Sequence, residues 1–309
     1  RSQLSSVASD NLIDGRAMAD QIHEETRRHA EALKAHGTPP GLVFVRVGED
    51  PASRVYVGMK EKACDRLGIQ SQTRILPEDT TEKDLLKLIG ELNADPTLHG
   101  ILVQAPLPSQ INEANIFAAV SANKDVDGFH PLNVGKLLLG DTDGFVPCTP
   151  AGVHELLIRS GVATSGAEVV ILGRGNIVGK PMAAILCQKS EHANATVTLC
   201  HSRSADIDEH CRRADILIAA MGVPEFVKAD MVKPGAVVID VGVNRIPDPE
   251  AKNGSRLVGD VDFAEVQAIA GRITPNPGGV GPMTIAMLLR NTVHAAARAN
   301  GLNLETPES

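Results

Sequence analysis

The stretch Val169-Val-Ile-Leu-Gly-Arg-Gly-Asn-Ile-Val-Gly179 decides the fold of this chain. Its four aliphatic residues read as a buried strand that runs straight into Gly-x-Gly-x-x-x-Gly. Lys180-Pro181 and a helix-permissive run follow. Gly173 permits a tight turn, and Gly175 lets the backbone approach a pyrophosphate. The following helix offers unpaired N–H groups and the positive end of its dipole. A glycine turn by itself can equally close a helix or satisfy packing. Here strand, turn, helix and next strand occur in order, and that context supports dinucleotide binding. The next strand, 196–200, ends in Cys200-His-Ser-Arg203, with no acid to hold a ribose 2′-hydroxyl. Ser202, Arg203 and Arg174 could instead surround a 2′-phosphate, so the cofactor reads as NADP. The alternative for these residues is a solvated basic loop.

Working outward, β-rich runs recur at 216–220 and 237–241, separated by helical or loop segments. The first half shows the same alternation. Strands are predicted at 42–47, 72–76 and 100–104, and helices at 14–35, 53–67 and 82–93. Asp14 and Ser53 stand where helix N-caps would. Pro147 and Pro150 interrupt the chain near 148–152, where a domain boundary is predicted. A last helix is expected over 283–300, after Pro282, which suits a first turn because it donates no hydrogen bond. This alternation is that of an α/β protein with parallel sheets.

Composition narrows the function classes. A chain of 309 residues has room for about two domains, and its net charge of −8 lacks the basic stripe of a nucleic-acid surface. With no Trp and a single Tyr, the cores must be aliphatic. Five cysteines without a Cys-x-x-Cys pair read as reduced thiols, which points to the cytoplasm. No apolar run reaches the roughly 18 residues of a membrane span. Residues 1–11 are polar and read as an expression scar, a fragment edge or a flexible tail, and the end past Gly301 reads as frayed.

Ser53, Tyr56 and Lys60 share one face of a predicted helix, at i, i+3 and i+7. Gln104 follows a strand at its C-terminal end, where open α/β sheets collect ligands. Asp127 sits in a short polar turn, Lys124-Asp-Val-Asp-Gly128. Asp-x-Asp pairs at Asp125/Asp127, Asp141/Asp143, Asp206/Asp208 and Asp260/Asp262 do not continue as an EF-hand, and no metal site is expected. His201 reads as a surface or supporting residue.

Six strings now stand in order along the chain. They are Tyr56-x-x-x-Lys60, Leu102-Val-Gln-Ala-Pro-Leu-Pro108, Lys124-Asp-Val-Asp-Gly128, Pro147-Cys-Thr-Pro150, Gly173-Arg-x-x-x-Val-Gly-x-Pro181 and Pro277-Gly-Gly-Val-Gly-Pro-Met-Thr284. Together they resemble the methylenetetrahydrofolate dehydrogenase/cyclohydrolase family, over residues 12–300.

The resemblance implies two α/β domains flanking a cleft. Residues 1–149 would form the folate-binding catalytic domain, and 150–282 a Rossmann-like NADP-binding domain. The helix 283–300 would pack back on the first. It also implies a homodimer and a bifunctional activity in one-carbon metabolism. The enzyme would oxidise 5,10-methylenetetrahydrofolate with NADP and hydrolyse the methenyl product to 10-formyltetrahydrofolate. The same resemblance assigns Lys60 as the acid/base group, Gln104 as its hydrogen-bonding partner, Asp127 to the pterin and Tyr56 to stacking on the folate. Ser53, Val103, Pro277, Gly278 and Gly279 would line the substrate. Gly173, Arg174, Gly175, Ile177, Val178, Ser202, Arg203 and Val243 would line the cofactor. At position 175 the family pattern generally carries Ser, which shifts the weight of NADP preference onto Arg174, Ser202 and Arg203. A dehydrogenase without cyclohydrolase activity and a non-catalytic dinucleotide-binding protein are the rival readings.

Overall fold

A computed structural model describes residues 11–304; the polar leader at 1–10 and the end of the tail, 305–309, lie outside the described residues. The first half runs α1 (Gly15–Ala35), β1 (Gly41–Val47), α2 (Pro51–Leu67), β2 (Gln70–Leu76), α3 (Glu82–Ala94), β3 (Gly100–Val103), α4 (Glu113–Ala119) and α5 (Pro131–Leu139). The second half runs α6 (Cys148–Arg159), β4 (Glu168–Leu172), α7 (Gly179–Leu186), β5 (Thr196–Cys200), α8 (Ile207–Arg213) and β6 (Ile216–Ala219). It continues with β7 (Val237–Asp240), β8 (Asn244–Pro247), β9 (Ser255–Val258), α9 (Phe263–Val266), β10 (Arg272–Ile273) and α10 (Val280–Ala299).

The chain divides into two compact units. One holds Asp20–Cys148 with residues 285–304, and the other holds Thr149–Thr284 with residues 11–19. The first is built on a parallel sheet ordered β2-β1-β3. β1 is buried along its whole length, Arg46 included, and apart from that residue and Gly41 it is apolar throughout. Leu85, Ile89 and Leu92 of α3 repeat at helical spacing and pack on Val43, Val45, Ile101 and Val103. β2 is an edge strand whose Gln70, Gln72 and Arg74 face solvent.

The second unit holds a five-stranded parallel sheet ordered β10-β7-β6-β4-β5. From β4 the chain goes out to β5 on one side and then to β6 on the other. The order therefore reverses between β4 and β6, the point where open α/β sheets bind ligands beyond their strand ends.

Several boundaries differ from the sequence reading. α2 begins at Pro51, and its cap is Asp50, whose carboxylate accepts from the Ser53 N–H at 2.8 Å. Ser53 is thus in the first turn, because Pro51 needs no partner there. Asp14 does cap α1, accepting from the Ala17 N–H at 3.0 Å. α10 begins at Val280, which puts Pro282 inside the first turn and Thr284 beyond a capping position. The antiparallel hairpin β8–β9 and the two-residue β10 have no counterpart in the sequence reading.

Candidate active site

In the first unit, α2, the end of β3, the Lys124–Gly128 turn and the first residue of α6 bring Lys60, Gln104, Asp127 and Cys148 together. Lys60 is on α2, and its Nζ donates to Gln104 Oε1 at 3.0 Å. Gln104 continues β3 through its N–H, which donates to the Val45 carbonyl at 2.9 Å. Its own Nε2 donates to the Ala105 carbonyl at 3.1 Å, so the amide oxygen is left facing the amine. Burial pulls the Lys60 pKa below the ordinary lysine value, while the negative charge of Asp127 opposes that shift.

Asp127 is placed by a turn that its neighbour builds. The buried Asp125 carboxylate accepts from the Gly128 N–H at 3.2 Å, the His130 N–H at 2.7 Å and Asn133 Nδ2 at 2.9 Å. Gly128 adopts φ +81, and a Cβ there would come within 2.6 Å of the Pro147 nitrogen, so the turn requires glycine. Asn291 of α10 donates to the Val126 carbonyl at 2.9 Å and fixes the turn from another side. Burial pushes the Asp127 carboxyl up to about 6, against the pull of the Lys60 charge. The Cys148 thiol beside it donates to the Val126 carbonyl at 3.5 Å, and burial, reinforced by the Asp127 charge, holds it well above the ordinary value, so it remains protonated.

The other first-unit residues fall into place differently. Tyr56 stands one turn before Lys60 and is 48% exposed, next to the exposed apolar Val55 and Met59. Such a face suits a flat aromatic ligand. Ser53 is buried, and its hydroxyl donates to the Ala105 carbonyl at 3.4 Å. Val103 packs inside the core, so its side chain is not available to a ligand and only its backbone is.

In the second unit, Gly173 follows β4 at φ +117, and a Cβ there would lie 2.1 Å from the Ala220 carbonyl oxygen at the end of β6. A Cβ at Gly179 would lie 1.9 Å from the Gly173 carbonyl oxygen. Both glycines are therefore dictated by packing at the switch point. Gly175 is not: its surroundings are open, and a side chain would meet nothing within 4 Å. α7 starts with no side-chain cap; in its first turn the Lys180 N–H donates to the Gly175 carbonyl at 3.1 Å, Pro181 has no N–H, and the Met182 N–H donates to the Val178 carbonyl at 2.9 Å. Arg174, Ser202 and Arg203 are exposed. His201 closes the loop after β5, with its Nδ1 accepting from the Arg203 N–H at 3.1 Å and its own N–H donating to Ser204 Oγ at 2.9 Å. Ile177 and Val243 are exposed aliphatics, and Val178 immediately precedes α7. Pro277, Gly278 and Gly279 belong to this unit, where a Cβ on Gly15 would lie 1.8 Å from the Gly279 carbonyl oxygen.

Sequence reading missed two features here. The Cys148 thiol against Asp127 was hidden in a string read as a boundary. A buried carboxylate pair, Asp240 and Asp260, organises the loops after β6 and β7. Asp260 accepts from the Met221 and Gly222 N–H groups at 2.7 and 2.9 Å and from Asn244 Nδ2 at 2.8 Å. Asp240 accepts from the Gly242 and Asp260 N–H groups at 3.0 and 2.9 Å, and burial lifts its carboxyl to about 6.

Known proteins agree with this architecture. The tetrahydrofolate dehydrogenase/cyclohydrolase catalytic domain matches residues 13–127, and the NAD(P)-binding domain of the same family matches residues 147–300. The bifunctional protein FolD of Chlorobium chlorochromatii is 56% identical over 94% of this chain and 99% of that protein. The crystal structure of the bifunctional enzyme FolD from Campylobacter jejuni has a TM-score of 0.88 at 47% identity, covering 93% of this chain and 98% of that one. The Trypanosoma brucei dehydrogenase-cyclohydrolase, solved with NADP cofactor and an inhibitor, has a TM-score of 0.88 at 39% identity, covering 94% and 98%. On these matches and the geometry above, the chain belongs to the tetrahydrofolate dehydrogenase/cyclohydrolase family.

Proposed function

We propose that this protein oxidises 5,10-methylenetetrahydrofolate to the methenyl cation with NADP, and hydrolyses that cation to 10-formyltetrahydrofolate. The observation that carries the reading is the desolvated Lys60 amine held at 3.0 Å by Gln104 and flanked by Asp127. An ordinary lysine would repel a cationic substrate and hold its proton too tightly. Burial favours the neutral amine, which can act as a base.

Asp127 accepts two hydrogen bonds from the adjacent N–H donors of the pterin's 2-amino-4-oxo edge. Tyr56 stacks along the folate's aromatic portion. In hydrolysis, the oxygen of water bonds to the methenyl carbon and its proton passes to Lys60 Nζ. The carbon–N5 bond then breaks as the remaining hydroxyl proton is transferred to N5, leaving the formyl group on N10. One proton is released to solvent. Gln104 keeps the amine in place through both transfers.

The second unit fits a dinucleotide, because its glycine turn lies at the sheet's switch point and the exposed Arg174, Ser202 and Arg203 offer donors and positive charge to phosphates. NADP, when bound, supplies the hydride acceptor. Replacing Ser202 and Arg203 together with Ala is expected to raise KM for NADP about 10–100-fold, with little change for NAD. Steady-state kinetics with both cofactors checks this, and equal losses would remove these residues from cofactor selection.

Asp127 also predicts a pH dependence. Its folded pKa is raised to about 6, so the carboxylate that binds the pterin is lost as pH falls through that value. KM for the folate should rise on acidification across this range. In Asp127→Asn, KM should be raised throughout and lose that inflection.

Assays of methylenetetrahydrofolate-dependent NADPH formation and methenyl hydrolysis test the whole reading. Absence of both from folded protein would refute it. Loss of hydrolysis alone would favour a dehydrogenase only. A homodimer in the cytoplasm completes the proposal, supported by the family resemblance and by five free thiols. Sedimentation of the purified protein checks the dimer.

A further inference from the structure

The first unit holds a second cavity, of about 210 Å³, lined by α1, α10 and the residues that follow α10. Among the described residues, Arg290, Arg298, His29, His294 and Glu25 line it. Thr26 also lines it; this residue is 1% exposed, and its hydroxyl has no hydrogen-bond partner. Leaving a buried hydroxyl in that state is costly unless a ligand satisfies it.

The cationic groups are held in position. Arg298 donates from Nη1 to the Asp143 carbonyl at 2.8 Å, and its guanidinium lies 4.9 Å from the centre of the Phe145 ring. The carbonyl takes one of five guanidinium N–H donors. The His29 and His294 rings stand 6.4 Å apart. Burial first, and then the charges of Arg290, Arg298 and His29, lower the His294 pKa to about 4. His294 is therefore uncharged at neutral pH, with one ring N–H to donate.

We infer that this cavity binds a phosphate-type oxyanion, through Arg290, Arg298, the two imidazoles and the Thr26 hydroxyl. Planar guanidinium forks match oxyanion geometry, and a hydroxyl donor completes the set. The volume holds a phosphate and a short attached group, and is too small for a dinucleotide, since pockets for drug-sized ligands run to roughly 300–1,000 Å³. Free phosphate and a small phosphomonoester share this chemistry. The inference does not depend on the proposed folate activity, because no residue of the cavity is in that site.

Isothermal titration of the full chain, saturated with NADP to occupy its other phosphate sites, tests it. Inorganic phosphate and glycerol phosphate serve as separate probes at neutral pH. Saturable binding of at least one probe is expected, and the tighter of the two identifies the source. Arg298→Met should weaken binding at least about tenfold, and the isosteric Thr26→Val about threefold to tenfold. Lys252→Ala, which removes an exposed cation of the other unit, should leave it unchanged. Absence of saturable binding, or wild-type affinity in both cavity variants, overturns the inference. Thr26→Val retains the shape of the helix packing, so it remains informative where Arg298→Met fails to fold.

Discussion

Replacing Lys60 with Met is expected to lower methenyl hydrolysis by ~10²–10⁴-fold, the range that a positioned acid/base group supplies. Methionine keeps the apolar stem and much of the volume of lysine, so α2 retains its packing while the amine is removed. Gln104 then loses the donor that it holds at 3.0 Å, but its amide remains tied to Ala105. Affinity for NADP should stay within about twofold, because the glycine turn belongs to the other unit and independent sites are additive. Stopped-flow hydrolysis and a direct NADP titration make the comparison. Hydrolysis at the full rate would remove Lys60 from the mechanism.

Asp260→Asn should cost roughly 2–4 kcal/mol of stability, which lowers Tm by about 5–10 °C. The Asp260 carboxylate has no exposure and accepts from three donors, the Met221 and Gly222 N–H groups and Asn244 Nδ2. An amide has one oxygen, so its NH₂ would face at least one donor and leave it unsatisfied. Asp262→Asn is the natural control. Asp262 pairs with Lys228 at 2.9 Å, with side-chain exposures of 21% and 45%, and such a pair contributes about 1 kcal/mol or less. Thermal unfolding separates the two acids, and equal small effects would show that Asp260 is not structural. Within one Asp-x-Asp string, burial alone divides a keystone from a surface charge.

Strands buried on both faces were easy to read. β1, β4, β6 and β7 are almost wholly buried and mostly aliphatic, so their runs stand out from any context. β2 begins earlier than its pattern suggests, because Gln70 and Ser71 extend an edge strand whose side chains can remain in water. The hairpin β8–β9 lacked a signal for the same reason: Arg245, Pro247 and Arg256 give no apolar alternation. β10 is set by its neighbour β7 and by the Leu12–Ile273 bridge, which are contacts distant in sequence.

The candidate site was legible where one element carries its residues, as with Tyr56 and Lys60 on α2. The Lys60–Gln104 bond spans 44 positions and came into view through motif order, not spacing. Cys148 against Asp127 and the Asp240–Asp260 pair depend on tertiary burial, which no local pattern encodes. Gly175 shows the converse. Its glycine is not required by the packing of the protein itself, since no protein atom beyond its chain neighbours lies within 4 Å of a Cβ there.

The way the chain shares its two units also bears on how the protein is born. Vectorial synthesis usually lets the earlier domain fold first as it leaves the ribosome. Here the unit that starts at Asp20 lacks Leu288, Leu289, Val293 and Ala296 of α10, all buried, until α10 is translated. The segment from Thr149 to Thr284 is made before that, and its partner strand segment at Asn11–Ile13 is made earlier still: Ile13 and Asn11 exchange backbone hydrogen bonds with Ile273 at 2.8 and 2.9 Å. The nascent chain can therefore finish its nucleotide-type unit while the lysine-bearing unit is still open. A premature stop anywhere before α10 would release that unit without its closing helix, exposed to chaperones and proteases.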